Sequence, residues 1–95
     1  MMTEDTRPLV QVVAGILLDK NGRYLLSSRP EGKPYAGYWE FAGGKVEAGE
    51  SDFQALQREF EEELGIRILV ATPWLTKVHS YEHAHVRLHF LWVEA

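Results

Sequence analysis

The sequence predicts an α/β (α+β) fold, a β-sheet carrying one strongly marked helix, and three stretches carry that reading. Val10 to Leu18 is rich in Val, Ile and Leu with little alternation, as expected of a strand buried on both faces. Asp52 to Leu64 has the start signal, the apolar period and the stop signal of an amphipathic helix. Val86, Leu88, Phe90 and Trp92 alternate with His85, Arg87 and His89, which describes a strand with one buried face.

Ninety-five residues bound the chain to one domain. Met1 to Pro8 is polar and reads as a loose tail, which leaves residues 9–95 for the domain. A hydrophobic fraction of 45% and a charged fraction of 25% are ordinary for a folded globular chain. There is no cysteine, so disulfides and thiolate metal sites are excluded, which fits a reducing cytoplasm. No apolar run has the length of a membrane span, and the N-terminus does not read as a signal peptide. A formal net charge of −4 argues against direct binding of duplex nucleic acid, which calls for a basic face.

Taken in order, the first strand is followed by Asp19-Lys20-Asn21-Gly22, a hairpin signal, with Arg23 to Ser28 as the returning strand. Arg29 to Gly37 holds two prolines and two glycines and is expected to be loop. Tyr38 to Phe41 reads as a short strand leading into a turn at Gly43-Gly44. Trp39 and Phe41 share a strand face, so one of them is available to stack on a base while core packing claims the other. After the helix, Ile66 to Val70 is a short β-type run that Ala71-Thr72-Pro73 is expected to break. Trp74 to Tyr81 then gives another extended segment, with a turn near Glu82-His83.

The helix holds the chemistry. Ser51 is a candidate N-cap with Gln54 three residues on, Asp52 adds charge that the helix dipole favours, and Gly65 is suited to the left-handed stop. Phe53, Leu56, Phe60 and Leu64 fall within an arc of about 80° and form the buried stripe. Glu59, Glu62 and Glu63 share an adjacent arc, where like charges repel. Alone, such a run is a solvated acidic face; a hard cation such as Mg²⁺ would turn the repulsion into attraction.

The run is not alone. Gly44, Glu50, Arg58, Glu59, Phe60, Glu62, Glu63, Gly65 and Ile66 fill every specified place of the pattern G-x5-E-x7-R-E-U-x-E-E-x-G-U, where U is bulky and apolar. The chain therefore resembles the Nudix hydrolase superfamily. Glu40-Phe41-Ala42-Gly43-Gly44-Lys45-Val46-Glu47 is similar to the lead-in of its MutT-like branch, with Ala42 where most relatives have proline. The resemblance implies a Nudix fold, a mixed sheet with the loop–helix–loop packed on one face. It further implies Mg²⁺-dependent (or Mn²⁺-dependent) hydrolysis of a nucleoside triphosphate to the monophosphate and pyrophosphate. An oxidised purine such as 8-oxo-dGTP is the expected substrate, in a role of nucleotide-pool sanitising and DNA repair. Glu59, Glu62 and Glu63 would bind the metal, Glu50 would complete or support the cluster, and Arg58 would hold the carboxylates. Gly43 and Gly44 would let backbone approach phosphates, while Arg29, Phe41 and Lys45 would face the nucleotide.

Other readings stay open. A binding module of the same fold without catalysis is disfavoured by the intact box, and hydrolysis of another nucleoside diphosphate derivative is a second alternative. His79, His83, His85 and His89 lie in one short region, but no third-ligand pattern marks a zinc site. The segment from Pro73 to Phe90 also resembles the Nudix part of proteins in which such a domain precedes a thiamine-phosphate-synthase-like one. MutT-like domains continue past the equivalent of Ala95 into a second helix, so the chain is expected to be a C-terminally incomplete piece of a longer protein. Apolar side chains around Val10–Leu18 and Val86–Trp92 are then expected to be uncovered and to favour self-association.

Overall fold

The computed structural model describes residues 7–28, 39–82 and 84–95. Its elements are β1 (Leu9–Leu17), β2 (Ser27–Ser28), β3 (Trp39–Glu40), β4 (Gly43–Lys45), α1 (Asp52–Leu64), β5 (Val70–Ser80) and β6 (His85–Glu94). Four strands form a mixed sheet in the order β4-β1-β6-β5, and β2 pairs with β3 apart from it. Strand β1 runs parallel to β6 and antiparallel to β4, so Val13 lies opposite His89 on one side and Gly44 on the other. The mixed sheet with one packed helix is the expected α+β arrangement. Met1 to Thr6, residues 29–38 (the stretch expected as loop, with Tyr38 at the expected strand start) and His83 fall outside the described residues.

Helix α1 begins and ends as its residues dictate. Ser51 and Gln54 form a reciprocal capping box, and Gly65 closes the helix at φ 66°, its N–H donating to the Glu61 carbonyl and the Ile66 N–H to that of Phe60. Its buried side chains, Ala55, Leu56 and Phe60, pack with Val13, Ala42, Ile68, Leu91 and Val93. The face of β1 and β6 carrying Val13, Gly15, Leu91 and Val93 therefore meets the helix. Full burial of a side chain such as Phe60 contributes about 1.5–3 kcal/mol. Gly15 makes that seat: a Cβ there would lie 2.7 Å from the Phe60 ring and 2.8 Å from Val93.

Several local expectations are corrected. The Asp19–Arg23 turn forms, with Asp19 Oδ1 accepting from the backbone N–H of Asn21 (2.8 Å) and Arg23 (2.9 Å). The returning strand, however, is reduced to a bridge between Leu18 and Tyr24 and the short β2. Gly43-Gly44 is not a turn but the start of β4, because β1 offers it a ladder. Residues 71–73 do not break the strand either: β5 runs through Pro73 with a bulge between Pro73 and Leu75. Proline is tolerated there because β5 is the edge of the sheet among the described residues, where Pro73 needs no donor on its outer side.

Of the stretches expected to be uncovered, only Leu18 at the end of the first is an exposed large apolar side chain among the described residues. Ala14, Ile16 and Val86 on the face away from the helix are buried, and Trp74 lies against Phe90 and Trp92, with ring centroids 6.4 and 4.9 Å away. Most of the exposed large apolar side chains are on or beside β5: Leu69, Val70, Trp74, Leu75 and Val78.

The Gly15–Phe60 contact gives a direct test. Gly15→Ala is expected to lower stability by about 1–3 kcal/mol through overpacking, read from the midpoint of chemical denaturation. An unchanged midpoint would mean that the helix is not seated as described.

Candidate active site: a guanidinium-centred carboxylate cluster

Arg58, in the middle of α1, is the hub of the polar cluster beside β4. Its Nε donates to Glu50 Oε2 (2.8 Å) and its Nη2 to Glu50 Oε1 (2.9 Å). Nη1 donates to Glu59 Oε1 (2.8 Å), and Nη2 also reaches the backbone oxygen of Lys45 (3.0 Å). Glu47 and Glu62 stand further off, at 3.7 and 3.5 Å. Glu50 is fixed a second time by the Glu47 N–H, which donates to its Oε1 (2.8 Å). The planar fork of arginine suits this bidentate hold.

The charges follow the geometry. The Arg58 hydrogen bonds, then the Glu47 N–H, hold the Glu50 carboxyl down to about 2. Hydrogen bonding to Glu50, then Glu59, holds the guanidinium protonated still more firmly than usual. Glu63 goes the other way, up to about 7, first through loss of hydration and then through the hydrogen bond and charge of Glu59. Glu40 adds to the rise, and the Gly43 N–H, 3.4 Å from Glu63 Oε2, opposes it.

Glycines make the approach possible. A Cβ on Gly44 would lie 2.6 Å from the Glu59 carboxyl carbon, and one on Gly43 would collide with the Val13 carbonyl oxygen. On its other side this backbone borders a groove of about 420 Å³, lined by Val12, Ala14, Glu40, Phe41, Leu88 and Phe90 among others. Phe41 is half-buried there, with the Tyr24 ring edge-on at 5.9 Å.

The structure thus gathers Glu50, Arg58, Glu59, Glu63, Gly43 and Gly44, with Glu62 exposed at the rim and Phe41 in the adjoining groove. Lys45 enters the cluster through its carbonyl, while its side chain is exposed. Arg29 lies outside the described residues. Sequence reasoning missed Glu47, whose N–H fixes Glu50, and Glu40, whose charge reaches Glu63; the Glu-rich lead-in was the available signal. Among the described residues, no three acidic or histidine side chains already form a closed metal cage. The donor set nonetheless fits a hard divalent cation. Its ligands are carboxylate oxygens, and a cation would relieve both the lost hydration and the crowding by Glu59 that raise Glu63.

That crowding has a measurable sign. Glu63 binds its proton more tightly folded than unfolded, so metal-free stability falls as pH rises from about 4.5 to about 7. Glu50 acts oppositely, its contribution being lost as pH drops from about 4.5 towards 2. In chelator, thermal melting of the wild type is expected to fall between pH 5 and 7 more steeply than that of Glu63→Gln. Parallel curves would contradict the crowding of Glu63.

A NUDIX domain model matches residues 8–95. The chain is 37% identical over 84 residues to an 8-oxo-dGTP diphosphatase of Proteus vulgaris, an alignment covering 88% of this chain and 75% of that protein. It is 53% identical over 62 residues to a CTP pyrophosphohydrolase of Escherichia coli, covering 65% of this chain and 45% of that one. The crystal structure of a MutT protein from Methanosarcina mazei superposes with a TM-score of 0.84, at 26% identity, over 97% of this chain and 70% of that one. The chain thus spans about half the length of one curated relative and three quarters of another. With the box built around Arg58, these matches make the chain a member of the Nudix hydrolase family, in its MutT-like branch.

Proposed function

We propose that this domain hydrolyses a nucleoside triphosphate to the monophosphate and pyrophosphate, with Mg²⁺ (or Mn²⁺) as the cation and an oxidised purine such as 8-oxo-dGTP as preferred substrate. The observation that carries the reading is the Arg58-held carboxylate cluster lying against Gly43 and Gly44, at the edge of the groove. Glu59, Glu62 and Glu63 are the residues that would hold the cation. When bound, Mg²⁺ supplies neutralisation of phosphate charge and activation of water.

The chain's own residues do the positioning. Arg58 keeps Glu59 turned towards β4, and Glu50 keeps Arg58 in register. Gly43 and Gly44 bring backbone rather than side chain to the phosphates. Phe41 and the apolar wall of Val12, Leu88 and Phe90 suit the flat face of a base. Arg29 and the Lys45 side chain are proposed to offset phosphate charge. The cytoplasm, with its nucleotide pool and Mg²⁺, is the proposed setting.

Support for the substrate comes from the Proteus vulgaris relative, which is an 8-oxo-dGTP diphosphatase. A second reading, a CTP-directed enzyme, is favoured by the 53% identity to the Escherichia coli CTP pyrophosphohydrolase.

Two measurements test this. Turnover of 8-oxo-dGTP to monophosphate and pyrophosphate is expected to require divalent cation, and Glu62→Gln is expected to lower kcat roughly 10²–10³-fold with the fold retained. Undiminished turnover in excess EDTA would sink the metal reading. Ranking kcat/KM for 8-oxo-dGTP, dGTP and CTP separates the substrates, and a preference for CTP would favour the second reading.

A further inference from the structure

The histidine region has one member with more to do than decorate a strand. His89 sits on the helix-facing side of β6, between three elements, with its side chain 21% exposed. Its Nε2 meets Gln11 Oε1 of β1 at 2.8 Å, and its Nδ1 meets Thr76 Oγ1 of β5 at 3.2 Å. The same Nδ1 lies 3.6 Å from Asp52 Oδ2, in the first turn of α1. A Gln carbonyl oxygen only accepts, so Nε2 carries a proton. In the neutral ring Nδ1 then accepts from Thr76. In the protonated ring it becomes a second donor, with Thr76 Oγ1 and the Asp52 carboxylate before it. The groups facing the ring are Gln11 from β1, Thr76 from β5 and Asp52 from α1, and Arg87 follows the same face of its own strand.

Asp52 is two residues from Glu50, whose carboxylate takes two hydrogen bonds from Arg58. The buried residues of α1 are Ala55, Leu56 and Phe60, which lie further along the helix. We propose that His89 is a positioning residue for the Nudix box. Through Asp52 it clamps the start of α1 to the sheet and so sets where Glu50 holds Arg58. The protonated ring grips harder, because only then does Nδ1 donate towards the carboxylate.

The inference rests on the proposed function for its importance to turnover, but its test does not. In the metal-free protein at about pH 6, the Arg58 Nε–H is followed by NMR for shift and exchange with water. His89→Phe is expected to change that shift and to speed exchange about tenfold. His89→Asn, whose amide nitrogen replaces Nδ1, is expected to restore protection independently of pH, whereas His89→Gln, which replaces only Nε2, is not. Asp52→Asn is expected to speed exchange in the same way without touching the ring. Rescue by Gln as good as by Asn, or Arg58 signals indifferent to His89→Phe, would overturn the proposal and leave His89 as sheet packing. In an active wild type, His89→Phe is expected to lower kcat with KM little changed; an inactive wild type would count against the proposed function while the Arg58 signal still decides this one.

Discussion

The grip of Arg58 on Glu50 and Glu59 is the interaction on which the rest of this site depends. Four carboxylates on or beside one helix repel one another, and their crowding is tolerable because a single guanidinium reaches several of them and a backbone oxygen at once. The contact spans α1, the loop before it and β4. It therefore ties the helix to the sheet as well as aligning acids. A lysine at this place would carry the charge but not the fork, and could not hold both oxygens of Glu50 together with Glu59 and the Lys45 carbonyl.

This polar hub needs an apolar frame behind it. Phe60, next to Glu59 in sequence, points into the core against Gly15 and Val93, while Glu59 points to Gly44. The absence of side chains at Gly15 and Gly44 thus fixes the helix at two neighbouring points, one greasy and one charged. Packing of this kind has little slack, since interiors are close to crystal density. The position of the carboxylates is consequently set as much by an apolar contact as by any charge.

The box helix was legible because its signals are local. Ser51, Gln54 and Gly65 act within a turn of themselves, and the Phe53–Leu64 stripe is a matter of period. What escaped the sequence depends on partners distant along the chain. Gly43-Gly44 reads as a turn until β1 supplies a ladder, and Pro73 reads as a break until it is known to lie on an edge strand. Lys45 enters the site by its carbonyl, which no residue type announces. His89 looked like one of several histidines on a polar face, and only its contacts with Gln11, Thr76 and Asp52 set it apart.

The bulge in β5 has a consequence for how this molecule meets others. Trp74 and Leu75 are both exposed beside a strand whose outer backbone would otherwise invite another chain to add on. Pro73 removes a donor from β5, the register shift bends it, and Lys77 sets a charge further along the same edge. A passing strand therefore finds the ladder interrupted between Pro73 and Leu75. Around the bulge, contacts are offered by the indole of Trp74 and by Leu75, as shape and grease, rather than by the sheet's hydrogen bonds.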